Sequence, residues 1–203
     1  MNKKKIEVTD LGLGSQKIKS KYRSIAAMAK YAGSSFARTK LIYRIVNFQK
    51  PKNILELGTS LGIASYAMHK GYPKANITTI EGCKNIYEFT KNNFAKRKIE
   101  QINIVNGDFE SVLSNLNKES FDLIFFDGNH QKEATLKYFD MLLSTIHNDS
   151  VFIFDDIYLT KDMYEAWEII RNHPKVTVSI DTYYWGLVFF RSEQSKEHFT
   201  IRM

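Results

Sequence analysis

Short apolar runs alternate along this chain with longer amphipathic stretches, and the alternation is regular from residue 53 onward. Runs such as Leu123-Ile124-Phe125-Phe126 and Val151-Phe152-Ile153-Phe154 are apolar at every position, as strands must be when helices cover both faces of a parallel sheet. Between them, apolar residues recur at spacings of three and four. Leu136, Phe139, Leu142, Leu143 and Ile146 place one stripe on a helix over 131–146. The pattern predicts strand 53–57, helix 62–70, strand 76–80, helix 84–97, strand 102–106, helix 109–116 and strand 121–126. Helix 131–146, strand 150–154, helix 161–172, strand 175–181 and strand 186–191 follow. Upstream, 23–32 and 35–49 read as helices, the second carrying Leu41, Ile42, Ile45 and Val46 on one face and stopped by Pro51.

This order defines the fold class: α/β, a three-layer αβα sandwich around a doubly wound, mostly parallel seven-stranded sheet. Only Thr182 to Trp185 separate the last two strands, too few residues for a crossover, so they must form an antiparallel hairpin. A length of 203 residues with 43% hydrophobic content supports one domain, with residues 1–50 as a basic arm and helices packing on a core domain over 51–203.

Charge narrows the partners. The formal net charge is +7, but residues 1–24 hold seven bases and two acids, so the rest of the chain is nearly balanced. A wholly basic face for nucleic acid is therefore not expected. A run of some 18 apolar residues is absent, and Lys3-Lys4-Lys5 leads into polar residues rather than an apolar signal core. The lone Cys83 cannot form an internal disulfide. Together these predict a soluble, cytoplasmic protein without membrane contact, and the N-terminal helices offer a face for a homodimer.

Asn53-Ile54-Leu55-Glu56-Leu57-Gly58-Thr59-Ser60-Leu61-Gly62 carries the strongest chemical signal, an apolar strand entering a glycine turn and then a helix. Gly58 and Gly62 let a ligand approach the main chain, and the helix start offers unpaired N–H groups. Ser60 breaks the dinucleotide spacing of glycines, which points away from nicotinamide and flavin cofactors. Ligands in open α/β sheets bind beyond the carboxyl ends of the strands, and acidic residues stand there. Glu81 ends the second strand, placed for both hydroxyls of a ribose or for capping the next helix. Asn106-Gly107-Asp108 ends the third, where Asp108 suits an adenine amino group or a helix N-cap. Asp127 ends the fourth and Asp155-Asp156 the fifth. Carboxylates on adjacent strands, about 4.8 Å apart, can converge on a hard cation such as Mg²⁺ or stand as separate hydrated loop caps. His130, three residues after Asp127, is the candidate general base or an ordinary surface histidine of the loop.

Glu56-Leu57-Gly58-Thr59-Ser60-Leu61-Gly62, Glu81, Gly107-Asp108 and the terminal hairpin resemble a class I S-adenosylmethionine-dependent methyltransferase over roughly residues 50–191. The resemblance implies S-adenosylmethionine as cofactor, with Glu56, Gly58, Ser60 and Gly62 around its methionine part, Glu81 on its ribose, and Gly107, Asp108 and Phe109 at its adenine; Asp127 borders the same site. Asp127, His130 and Asp155-Asp156 are similar, more narrowly, to the metal-dependent O-methyltransferases of sugar and catechol hydroxyls. That likeness implies Asp127, Asp155 and Asp156 as Mg²⁺ ligands, catalysis by His130 and Asp127, and a small hydroxylated acceptor. The departures are Ser60 at the middle glycine and Asp-Asp where the catechol relatives have Asp-Asn. Tyr183, Tyr184 and Trp185 are candidate walls of an acceptor pocket or core aromatics covering the sheet edge, and Ile157-Tyr158 and the stretch from Ser20 to Phe36 are further candidate walls or lids. An RNA or other nucleic-acid methyltransferase and a non-catalytic S-adenosylmethionine-binding protein are the alternatives.

Overall fold

The computed structural model describes residues 4–14, 18, 20–31, 35–116 and 120–202. Lys3 and the expected end of the first helix at residue 32 lie outside the described residues. The core sheet is formed by β3 (Asn53–Leu57), β4 (Asn76–Glu81), β5 (Ile102–Asn106), β6 (Leu123–Phe126), β7 (Val151–Asp155), β8 (Val178–Asp181), β9 (Trp185–Phe189) and β10 (Glu197–Thr200). Its strand order is β10-β8-β9-β7-β6-β3-β4-β5, with β9 antiparallel to both its neighbours. The mostly parallel, doubly wound sheet and its hairpin match the expected class. The count does not, because β10 adds an eighth strand parallel to β8.

Two layers of helix cover this sheet, and the period of two along each strand decides which side chains meet which layer. On one face Ile54, Leu123, Phe125 and Ile153 pack with Ile42 and Val46 of α2 (Phe36–Gln49), Ala64, Ala67 and Met68 of α3 (Ile63–Gly71), and Phe94 of α4 (Lys84–Lys96). On the other, Leu55, Leu57, Phe126, Phe152 and Phe154 pack with Leu113 of α5 (Phe109–Asn115), Phe139 and Leu142 of α6 (Lys132–Leu142), and Trp167 and Ile170 of α7 (Lys161–Asn172). Helix α6 stops at Leu142 rather than 146. The hydroxyls of Ser144 and Thr145 donate to the carbonyls of Met141 and Leu142, taking acceptors a further turn would need.

The N-terminal segment is more structured than a basic arm. β1 (Lys5–Glu7) pairs antiparallel with β2 (Tyr22–Ser24), which leads into α1 (Ile25–Tyr31). Ile6, Val8, Ile25 and Met28 pack on Cys83 and Ile86 at the start of α4. None of the described helices is long and apolar enough to cross a membrane.

Candidate active site

Leaving β3, the chain runs to β4 and β5 on one side, then returns to β6 on the other, so the sheet opens a crevice between the ends of β3 and β6. Gly58 and Asp127 face each other there. Gly58 has φ +107°, and a Cβ on it would overlap the Asp127 carbonyl, so both the turn and the close strand approach require glycine. A cavity of about 1160 Å³ opens over these strand ends. Its walls include Gly58, Ser60, Glu81, Gly107, Asp108, Phe109, Asp127, His130, Asp155 and Asp156, which brings ten of the twelve expected site residues together.

The two absentees lie behind the wall. Gly62, the left-handed N-cap of α3, packs instead against Thr90 and Phe94. Glu56 shares its strand face with Ile54, which turns it toward α3 and away from the cavity. There its Oε2 accepts hydrogen bonds from the hydroxyls of Ser65 and Thr79. Complete burial, outweighing these two bonds, pushes its pKa up to about 7, and Oε1 has no hydrogen-bond partner.

Glu81 is buried and accepts from the backbone N–H groups of Ser60 and Cys83, both at 2.8 Å, so it ties the glycine turn to the start of α4. Burial raises its pKa despite those bonds. Asp108 caps α5 by accepting from Ser111 N–H at 2.9 Å, which lowers its pKa, while still lining the cavity. Phe109 beside it meets Tyr138 edge to face at 5.5 Å. The flat ring, the polar strand ends and the open main chain of the turn form a cradle for a nucleoside. These residues fit S-adenosylmethionine.

The opposite half is crowded with charge. Asp127 and Asp155 stand in alternation with Phe125 and Ile153, which aims both toward the α2 layer. Arg38, in the first turn of α2, meets them. Its Nη1 donates to Asp155 Oδ1 and Oδ2 at 3.0 and 3.1 Å, and its Nη2 to Asp156 Oδ1 at 2.9 Å. Trp185 Nε1 and the Asp156 N–H also donate to Asp155 Oδ1, at 2.7 and 2.9 Å. Burial, then the charge of Asp155, drives the pKa of Asp127 well up. Burial and the charge of Asp156 also raise the pKa of Asp155, against the pull of Arg38.

The expected Mg²⁺ set is therefore not presented as one. Among the described residues no group of three or more His, Cys, Asp or Glu is arranged to hold a metal ion. Asp155 Oδ1 already accepts from the Arg38 guanidinium, the Trp185 indole and the Asp156 N–H, and Arg38 also engages Asp155 Oδ2 and Asp156, so these carboxylates are arranged around N–H donors and as arranged do not fit the ion. His130 lines the same wall, held with φ +51° by its N–H to the Gly128 carbonyl, and its charge when protonated favours the Asp155 carboxylate.

Of the candidate walls, Tyr184 lines the cavity and lies under the Arg38 guanidinium at 4.6 Å. Trp185 has both roles offered for it, packing on Phe125 in the core while its indole reaches Asp155. Tyr183 stacks on Tyr158 outside the cavity. The amino-terminal segment forms a roof: Leu11 packs over Gly82, Leu13 N–H donates to the Asn129 carbonyl at 2.9 Å, and Asp10 pairs with buried Arg23.

Comparison with known proteins agrees with this geometry. A family model described as a methyltransferase domain matches residues 55–157, from β3 through β7. The chain belongs to that family and is a class I S-adenosylmethionine-dependent methyltransferase. Similar folds occur in the SAH-bound methyltransferase PaMTH1 of Podospora anserina, with TM-score 0.70 and 19% identity over 78% of this chain and 80% of that one. The O-methyltransferase TomG of Streptomyces achromogenes, involved in tomaymycin synthesis and solved with SAM, gives 0.69 and 21% over 78% and 82%. An O-methyltransferase from Bacillus cereus in complex with SAH gives 0.66 and 19% over 77% and 82%.

Proposed function

We propose that this protein methylates a hydroxyl of a small acceptor, with His130 accepting the hydroxyl proton. One observation supports this most: His130 and the Asp127–Asp155 pair line the same cavity as the Gly58, Glu81 and Phe109 cradle. At about 1160 Å³ that cavity exceeds the roughly 300–1,000 Å³ of single-ligand sites, which suits two ligands side by side.

In this reading Glu81 holds the ribose hydroxyls, Asp108 and Phe109 the adenine, and the Gly58–Ser60 turn the methionine part, with Glu56 behind it. S-adenosylmethionine, when bound, supplies an electrophilic methyl whose C–S bond breaks with its electron pair going to sulfur as the new O–C bond forms. His130 takes the acceptor proton, and the adjoining Asp155 carboxylate stabilises the imidazolium that results. Asp127 stands where cofactor and acceptor halves meet, positioning the hydroxyl for in-line attack. No step is assigned to a metal.

The test is to incubate the protein with S-adenosylmethionine and a panel of hydroxylated small molecules, and to seek products one methyl heavier by mass spectrometry. A methyl ether on one acceptor class is the expected result. Tight S-adenosylhomocysteine binding with no product across the panel would replace this reading with a non-catalytic one. Label appearing in RNA instead would favour the nucleic-acid reading.

A further inference from the structure

The carboxylates at the end of β7 are met by a cation that the polypeptide itself carries. Helix α2 starts at Ser35, whose side chain accepts the Arg38 N–H at 3.3 Å, and this cap sets the first turn from which Arg38 reaches the sheet. The guanidinium then holds Asp155 through both oxygens and Asp156 through one, at 2.9 to 3.1 Å. Its flat face rests on Tyr184, which blocks rotation away from the acids. A planar fork suits this role, because it presents several donors in fixed directions to two carboxylates at once. Mg²⁺ would need the same oxygens at about 2.0–2.1 Å in octahedral array. With the guanidinium spanning Asp155 and Asp156, an ion at these two carboxylates would have to share or displace it.

We infer that Arg38 takes the place of a divalent cation in this site, so that the chain's methyl transfer needs no metal and its charge compensation is built in. The catalytic part of this statement rests on the function proposed above; the statement about binding does not. Arg38 offsets one of the two charges of the Asp155–Asp156 pair and holds Asp155 in place through both oxygens, which makes it a positioning residue.

Metal binding tests this without any acceptor. Mn²⁺ is titrated into the purified full chain with S-adenosylhomocysteine present, and free ion is followed by its electron paramagnetic resonance amplitude. The wild type is expected to leave the free-ion signal undiminished. Arg38→Ala and Arg38→Gln should each capture Mn²⁺ near one equivalent, and adding Asp156→Asn should abolish the capture. Stoichiometric capture by the wild type, lost in Asp156→Asn, would overturn the inference; so would Arg38 variants that bind S-adenosylhomocysteine normally yet take up no more Mn²⁺ than the wild type. Once an acceptor is found, chelator treatment should change the rate by less than twofold, and strong restoration of a chelated enzyme by Mg²⁺ would contradict the metal-independent transfer.

Discussion

The two halves of the cavity are built in different ways. The Gly58–Glu81–Asp108 half comes from consecutive strand ends, and its key contacts are to main chain: Glu81 accepts from two backbone N–H groups, and Asp108 accepts from a third. The Asp127–Asp155–Asp156 half is held by side chains from distant segments, with Arg38 and Trp185 both donating to Asp155. Backbone-built sites tolerate little variation in shape, whereas a side-chain network can be retuned one residue at a time. That division suits an enzyme that keeps one methyl donor and positions an acceptor beside it.

Substitutions can break or sharpen the contrast. The largest effect is expected at His130. His130→Ala should lower kcat by about 100-fold to 10,000-fold while S-adenosylhomocysteine affinity stays within about twofold. Equal losses in both would dissolve the distinction between the halves. Glu81→Ala comes next, with calorimetry expected to show S-adenosylhomocysteine binding about 100-fold weaker, because a buried acceptor of two N–H groups is lost along with the ribose contact proposed for it. Unchanged affinity would remove Glu81 from the cradle.

A pH titration probes what lies beneath the cradle. Glu56 ionises near 4.5 in the unfolded chain but only at about 7 in the folded one. Between those values the folded protein holds a proton that the unfolded chain releases, so stability falls as pH rises, by about 3 kcal/mol from this residue. The penalty remains above pH 7. Glu56→Gln should cancel it, so the urea midpoint of the variant should climb relative to wild type from pH 5 to 7.5. Parallel midpoints would show that Glu56 does not carry this burden. The smallest effect is expected for Tyr184→Leu, which removes the aromatic face under Arg38 and should raise acceptor KM by about threefold, from a contact worth about 0.5–1 kcal/mol. An equal rise in cofactor KM would place Tyr184 in the wrong half.

Legibility in the sequence followed the same division. Strands 53–57 and 102–106 and helix 161–172 match the structure residue for residue, because each is bounded by a strong local signal and buried where its pattern says. The cradle was legible for the same reason: turn, strand end and acidic residue lie within a few positions of one another. β10 was not, since Glu197–Thr200 is exposed at every position and gains its strand character only by pairing with β8 at the sheet edge. The three-residue β1 and β2 are too short to show a period, and their pairing spans a long intervening stretch. Arg38 was missed because nothing local separates it from Lys40 or Arg44 on the same helix. Only the tertiary approach of α2 to the end of β7, 117 residues away in sequence, singles it out. Gly62 was misplaced for the converse reason, since a glycine required by Phe94 looks in sequence like one required by a ligand.

The roof over the cradle has a consequence in time. A ligand lying against Glu81 is enclosed by residues whose anchors include the Asp10–Arg23 ion pair and the Leu13 N–H to Asn129 carbonyl bond. Such a segment opens at a lower free energy than the sheet unfolds. Exchange of a ligand at Glu81 is therefore expected to track opening of the amino-terminal segment, which hydrogen exchange at the Leu13 N–H would follow.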